Sequence, residues 1–447
     1  MHSLGSLIPT FFNAFKIEEI RKKLFFTFLM LIVIRFGSQL PIPGVNPDYI
    51  KDFFASQTGS TFNFFNALTG GSFEQMSIFA LSISPYITSS IIMQLLAIAI
   101  PKLEEMQKDG EDGRKKISKI TRYVTVGLAL IQATAMSVAF GKQGLLVEYN
   151  FMSVLTVILT MTAGSAFLVW MGERITEKGI GNGISVILLI NILSSIPTDI
   201  RMLSAKVAEC DTIVTKILAT IMILAIVLFV VVFVVLLQGG ERKIAVQYSQ
   251  KVQGRKTVGG QSSHIPMKVN TAGVIPVIFA SSLMQFPILI AAFLGKSEGK
   301  GFGYEILYGL NSSNWFNRGA DFYKTWGVLV YIVLTIAFAY FYTSITFNPM
   351  EIANNMKKSG GFVPGIRPGR PTVDYLAKIL NYIVFVGAVA LVIVQVIPFF
   401  FSGWFGASVS FGGTSLIIIV GVVLETIQQV ESKMVVRNYK GFLNSGK

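Results

Sequence analysis

The sequence predicts an all-α polytopic membrane protein with ten transmembrane helices, and three observations carry that class. First, 52% of the 447 residues are apolar and only 14% charged, with a mean hydropathy of +0.61. Soluble domains carry about 25% charged residues, so too little polar side chain is present to cover a water-facing surface. Second, charge-poor stretches near the 20 or so residues needed to cross a hydrocarbon layer recur along the chain. Third, the basic residues are sorted between the loops of alternate sides, as the positive-inside rule requires.

Residues 1–23 carry an amphipathic pattern (Leu7, Phe11, Phe15, Ile20) and end in Arg21, Lys22 and Lys23. They read as a cytoplasmic segment lying on the membrane surface rather than as a cleavable signal peptide. The spans follow at about 24–42, 76–100, 123–141, 149–171, 179–198, 217–238, 269–295 and 325–347. The uncharged run from Ile379 to Leu424 is too long for one helix. Its middle, FFFSGWFGASVSFGGTS, is rich in Gly and Ser, so it divides into spans at 379–399 and 411–430. Of the 38 Lys and Arg, 28 fall on the side of the termini, 9 on the opposite side, and Arg35 within span one. The acidic residues divide almost evenly. The termini, including a tail at 431–447, are therefore expected in the cytoplasm, and the net charge of +14 is largely topological. Five spans lie in each half (24–200 and 201–430), so any repeat between the halves would be inverted.

Several chemistries are excluded. One cysteine, Cys210, permits no internal disulfide, and His2 and His264 both lie outside the apolar runs. A Ser-His-Asp hydrolase, a HExxH protease and a buried His relay therefore lack their residues. No GxxxxGK[ST] phosphate loop occurs. No metal site and no cofactor is expected, and work on another molecule must be driven from outside the chain. The spans hold few ionisable groups, only Arg35 and Glu425, which read as structural pairing or snorkelling. An ion-coupled secondary transporter would keep such groups near the midplane.

Four segments exceed what membrane packing needs. Residues 62–75, FNFFNALTGGSFEQ, are apolar but too short to cross. They either re-enter the membrane inside protein or form a surface helix outside it. Span two mixes Ser82, Ser84, Pro85, Thr88, Ser89, Ser90 and Gln94 into an aliphatic helix, and span seven does the same with Asn270, Thr271, Pro276, Ser281, Ser282 and Gln285. Two such helices facing each other would form a weak, separable seam, although small and hydroxyl residues also serve ordinary helix packing. The cytoplasmic loops 239–268 and 348–378 are long and basic. The first contains the strand-like IAVQY, and the second a Gly/Pro-rich tip carrying Arg367 and Arg370. Rigid basic tips suit an acidic partner or a nucleic acid backbone.

The pieces PIPGVNP (41–47), FNALTGG (65–71), SIFALSISPYITSSIIMQLL (77–96), DGEDGRKKI (109–117), ITEKGIGNGIS (175–185), ERKIAVQY (241–248), GGQSSHIPMKVNTAGVIPVIFASS (259–282), NPMEIANNMKKSGGFVPGIRPG (348–369) and FGGTSLIIIVGVVLE (411–425) run in order through nearly the whole chain. Together they resemble the SecY family of protein-translocation channels. Ser82 and Ser84 depart from it, standing where many relatives carry Gly and Met.

The resemblance implies two inverted five-helix halves forming a clamshell around an hourglass pore. It places Ile83, Ile87, Leu188, Ile278 and Ile418 in an aliphatic pore ring, with Ile184 as the alternative to Leu188 in span five. Such a collar blocks ions by dewetting. It makes Phe64, Phe65, Asn66, Ala67, Leu68, Thr69, Gly70 and Gly71 the plug. Thr88, Ser89, Gln94, Asn270, Ser281 and Ser282 fall on the lateral gate between spans two and seven. Arg242, Lys243, Arg255, Lys256 and Arg367 are implied to dock the SecA motor ATPase or the ribosome, including its ribosomal RNA. Further implied partners are SecE, SecG, a signal peptide or nascent secretory chain, and membrane lipid. The implied location is the bacterial cytoplasmic membrane. A solute transporter and an intramembrane enzyme remain as alternatives, and the second lacks paired Asp or Ser-His sets in the spans.

Overall fold

The computed structural model describes residues 15–46, 48–49, 66, 68–208, 212–248, 251–253, 256–258, 262–293, 302–311, 315–316, 325–405 and 413–444. Each of the ten expected spans contains a helix. These are α1 (Glu18–Gly37), α2 (Ser84–Ala99), α4 (Gly110–Phe140), α5 (Phe151–Lys178), α6 (Gly183–Ala208), α7 (Ile213–Gly239), α8 (Ile275–Phe293), α10 (Trp326–Thr346), α12 (Arg370–Phe405) and α13 (Gly413–Asn444). Short helices α3 (Pro101–Lys108), α9 (Phe302–Leu310) and α11 (Pro349–Lys358) lie between them.

Among the described residues six helices are long and apolar enough alone to cross a membrane: α5, α6, α7, α10, α12 and α13. A seventh is the pair α2 and α3, bent by 108° at their junction. The bend follows from composition. Pro101 opens a helix whose sequence, PKLEEMQK, is too charged to continue into hydrocarbon. The other three helices bring charged ends or a shorter apolar stretch, as in Ile275–Met284 of α8.

Helices α1, α2, α4, α5 and α6 pack among themselves, as do α7, α8, α10, α12 and α13. The two groups touch through α6 against α13 and α7, and through α4 against α8.

Two expected helices begin late. Span two was expected from residue 76, yet α2 starts at Ser84, and residues 70–83 form successive turns. Span seven was expected from 269, yet α8 starts at Ile275. In both, a proline occupies the opening turn, Pro85 and Pro276, where its missing N–H costs nothing. Upstream of Pro85, Met76 and Ser82 take left-handed φ values of 44° and 49°, which end helical continuity. This irregular backbone is tolerated at membrane depth because protein encloses it. Phe73, Met76, Phe79, Ala80, Leu81 and Ile83 are buried. Local hydrogen bonds such as Ala80 N to Ser77 O (2.9 Å) and Ser82 N to Phe79 O (2.8 Å) satisfy its amides. The PIPGV segment braces it, with Ile42 N donating to Met76 O at 3.0 Å.

The two long loops join into one sheet. Strand β1 (Glu241–Tyr248) pairs antiparallel with β4 (Ser262–Lys268) and with the short β5 (Gly361–Phe362), in the order β4-β1-β5. A separate hairpin, β2 (Lys251–Gln253) and β3 (Lys256–Val258), rises between β1 and β4. Ile244, Val246 and Met267 of the sheet pack on Met356 of α11 and on Leu376 and Leu380 of α12. Alternation along β1 buries Ile244 and Val246 and exposes its polar residues, as the period of a strand requires.

Candidate functional site

Of the residues expected in the pore ring, Ile83, Leu188, Ile278 and Ile418 share one buried hydrophobic cluster, with Ile87 and Ile184 packed against it. Ile83 and Ile418 are 1% exposed, Leu188 7% and Ile278 9%, so the four side chains are closely packed. The four come from different elements in both helix groups: the start of α2, then α6, α8 and α13. Leu188 lies in the buried set and Ile184 at its edge, so both span-five candidates reach it. A closed aliphatic collar makes no directional bonds. Such a collar would exclude hydrated ions, yet could reshape around any apolar or polar side chain that passes.

Leu68 packs on the same cluster. Of the expected plug residues, Asn66 and Leu68 to Gly71 are described, whereas Phe64, Phe65 and Ala67 lie outside the described residues. Gly70 and Gly71 take φ values of +66° and +82°, which glycine adopts without steric cost. The Gly70 carbonyl accepts from Arg35 Nη1 at 3.0 Å and from Ser194 Oγ at 3.2 Å. The Leu68 carbonyl accepts from Asn191 Nδ2 at 3.1 Å. Arg35 therefore pairs with the backbone of this segment, which gives its expected structural pairing a partner. Asn191 and Ser194 were missed at the sequence level, because their partners lie more than a hundred residues away.

The polar residues of spans two and seven are arranged differently from a simple facing seam. Ser89 is fully buried and its hydroxyl hydrogen-bonds Thr125 of α4, so it faces span three rather than span seven. Ser281 bonds the Tyr331 hydroxyl of α10 at 3.2 Å, turning it towards span eight. Thr88 donates to Ser84 O within its own helix at 3.1 Å. Asn270 is buried, and its amide nitrogen has no partner among the described residues. Gln94 and Ser282 are half-buried. The reason is geometric: α2 packs closely on α4, and α8 on α10, so hydroxyls on those faces bond within their own group. Span seven meets the first helix group at α4.

On the loops, Arg242, Lys243 and Arg367 are exposed. Lys256 sits in β3, and Arg255 lies outside the described residues. The Arg367 tip is fixed by Gly365 and Gly369, with φ of +81° and +108°, and by Thr372 Oγ1 donating to Arg367 O at 2.9 Å. Asn348 caps α11, accepting from Met350 N at 3.1 Å and Glu351 N at 3.4 Å. Much of the expected loop 348–378 is thus ordered structure.

The sequence profile described as SecY matches residues 77–427. The chain belongs to the SecY family. A protein translocase subunit SecY of Halalkalibacterium halodurans is 42% identical over 444 residues, covering 98% of this chain and all of the relative. That of Bacillus subtilis is 41% identical over 447 residues, covering 98% of this chain and 100% of its own length. Among solved structures, one described as a protein conducting channel superposes with a TM-score of 0.62 at 19% identity, covering 93% of each chain. The canine Sec61 of a ribosome-channel complex superposes at 0.60 and 18% identity, again covering 93% of each chain. These likenesses establish a shared fold. The ten helices in two packed groups of five are that fold, the clamshell of the SecY family.

Proposed function

We propose that this chain is the protein-conducting channel of a membrane translocase. It passes unfolded secretory polypeptides through the waist and releases apolar segments sideways into lipid. One observation carries the reading. Aliphatic residues from four separate elements and both helix groups converge on one shut collar, with Leu68 of the plug against it. A solute transporter would instead present ionisable groups at the midplane. The full-length relatives named above are translocase subunits.

In this reading Ile83, Ile87, Leu188, Ile278 and Ile418 form the ring, and residues 64–71 stopper its outer side. Spans two, three and seven form the lateral gate. An apolar signal helix displaces their contact, which selects the open arrangement by its preference for lipid. The exposed Arg242, Lys243 and Arg367 on their rigid sheet and tip receive SecA or the ribosome. The sequence holds no GxxxxGK[ST] phosphate loop, so in this reading the driving force comes from that partner. SecE and SecG complete the complex in the bacterial cytoplasmic membrane, with both termini in the cytoplasm.

Reconstitution tests this. Proteoliposomes holding the chain with SecE and SecG should import a secretory precursor when SecA and ATP are added. Absence of protease-protected precursor under those conditions would reject the channel assignment. Uptake of a small solute driven by an ion gradient alone would point to a transporter.

A further inference from the structure

We infer that Asn191 and Ser82 are a positioning pair that couples seating of the plug to the start of the gate helix α2. The inference rests on the plug reading above. Asn191 stands on α6, three residues beyond the ring residue Leu188, and is 2% exposed. Its side-chain nitrogen donates twice, to Leu68 O at 3.1 Å and to Ser82 Oγ at 3.0 Å. One amide thus joins the plug backbone to the turn that precedes the ring residue Ile83 and the first turn of α2.

Ser82 holds an unusual conformation for this purpose. Its φ of +49° lies in the left-handed region, which non-glycine residues seldom adopt. Both of its polar ends are occupied: Oγ accepts from Asn191, and its carbonyl accepts from Ser165 Oγ of α5 at 3.0 Å. Glycine would satisfy the backbone at lower cost but would remove the hydroxyl. Asn191, for its part, is a poor choice for packing alone. Its Oδ1 is buried with no partner among the described residues, a cost that an apolar residue of similar size would avoid. The two donated bonds are what the buried amide contributes, and both exist only with the plug seated and the Ser82 turn in place.

The consequence is linkage. Movement of α2 at the gate shifts Ser82, draws on the Asn191 amide and weakens its hold on Leu68. Displacement of the plug removes one of the two acceptors and loosens the Ser82 turn. The Gly70 carbonyl, held by Arg35 and Ser194, is a second attachment that does not pass through Ser82.

The test uses the reconstituted complex in planar bilayers with no motor or precursor, reading resting ion conductance, alongside thermal unfolding in detergent. Ser82→Gly should leave the unfolding midpoint unchanged or higher, because glycine suits that backbone. It should nevertheless raise resting conductance roughly threefold to tenfold, the loss of one membrane hydrogen bond. Asn191→Leu should raise it at least as much. The double variant should match Asn191→Leu alone, since Ser82 acts through Asn191. Wild-type conductance in Ser82→Gly, or effects that multiply in the double variant, would overturn the coupling. Deletion of residues 66–71 separates the two claims. If that deletion fails to raise conductance, the plug reading itself falls. If it succeeds while Asn191→Leu and Ser82→Gly behave as wild type, the pair is dismissed and the plug stands.

Discussion

A methyl group at Gly70 should open this channel, and the same change one residue later should do far less. A Cβ at Gly70 would lie 2.9 Å from the Asn191 Cα, 2.9 Å from Ser194 Oγ and 3.0 Å from Arg35 Nη1. The first contact is backbone and cannot turn aside, so the plug must lift from α6. Lifting breaks the hydrogen bonds from Arg35 and Ser194, worth roughly 0.6–1.7 kcal/mol each in a membrane protein. The left-handed φ adds about 1–2 kcal/mol for any residue with a Cβ. Together the closed state loses about 2–5 kcal/mol, which is roughly 30-fold to 5,000-fold in the open-to-closed ratio. A Cβ at Gly71, with φ of +82°, meets nothing within 4 Å. Gly71→Ala therefore bears only the conformational cost, roughly 5-fold to 30-fold. Resting conductance of the reconstituted complex reads both variants directly. Equal conductance in the two would refute the steric argument, and wild-type conductance in Gly70→Ala would refute the seating of this segment against α6.

Other outcomes follow from the same geometry. Ile418→Asn, and separately Ile278→Asn, places an amide in a dry collar. The unpaired group costs about 1–3 kcal/mol, so ion leak and acceptance of defective signal sequences should both rise; unchanged leak would remove the residue from the ring. Arg367→Glu reverses the charge on a tip outside the packed helices. Precursor import driven by SecA should fall to background while the complex still purifies intact, and normal import would end its docking role. Ser89→Cys combined with Thr125→Cys should form a disulfide in the resting membrane, detectable by gel mobility after cleavage between α2 and α4. Export should continue, because both helices lie in one packed group; a block would show that they separate during gating.

The spans and their number were readable from hydropathy, because lipid constrains composition residue by residue. The convergence of Ile83, Leu188, Ile278 and Ile418 was readable only through motif likeness. Ile83 and Ile418, taken singly, are ordinary packing residues, and nothing local announces that α2, α6, α8 and α13 meet. The late starts of α2 and α8 escaped the hydropathy windows, since buried apolar turns and buried apolar helix have the same composition. Pro85 and Pro276 carried the available signal, a proline suited to a first turn. Asn191 and Ser194, in the run LLINILSS, gave no sign of their role, which depends on carbonyls of a segment far away in sequence. Ser89 and Ser281, expected along a gate seam, bond Thr125 and Tyr331 within their own helix groups, because neighbour choice on a helix is set by packing angle, which residue type does not encode. Strand β5 is two residues long and has no periodicity to read, so the union of the two loops was also hidden.

That union has a mechanical meaning. Strand β1 continues directly from α7, β4 leads through six residues into α8, and β5 lies between α11 and α12. Every strand of this sheet is rooted in the same group of helices. A partner docked there, as proposed, would grip one jaw and leave the other unheld. The reaction force of pushing a chain inward is then borne by a single rigid body, and separation at the waist needs only the free jaw to swing.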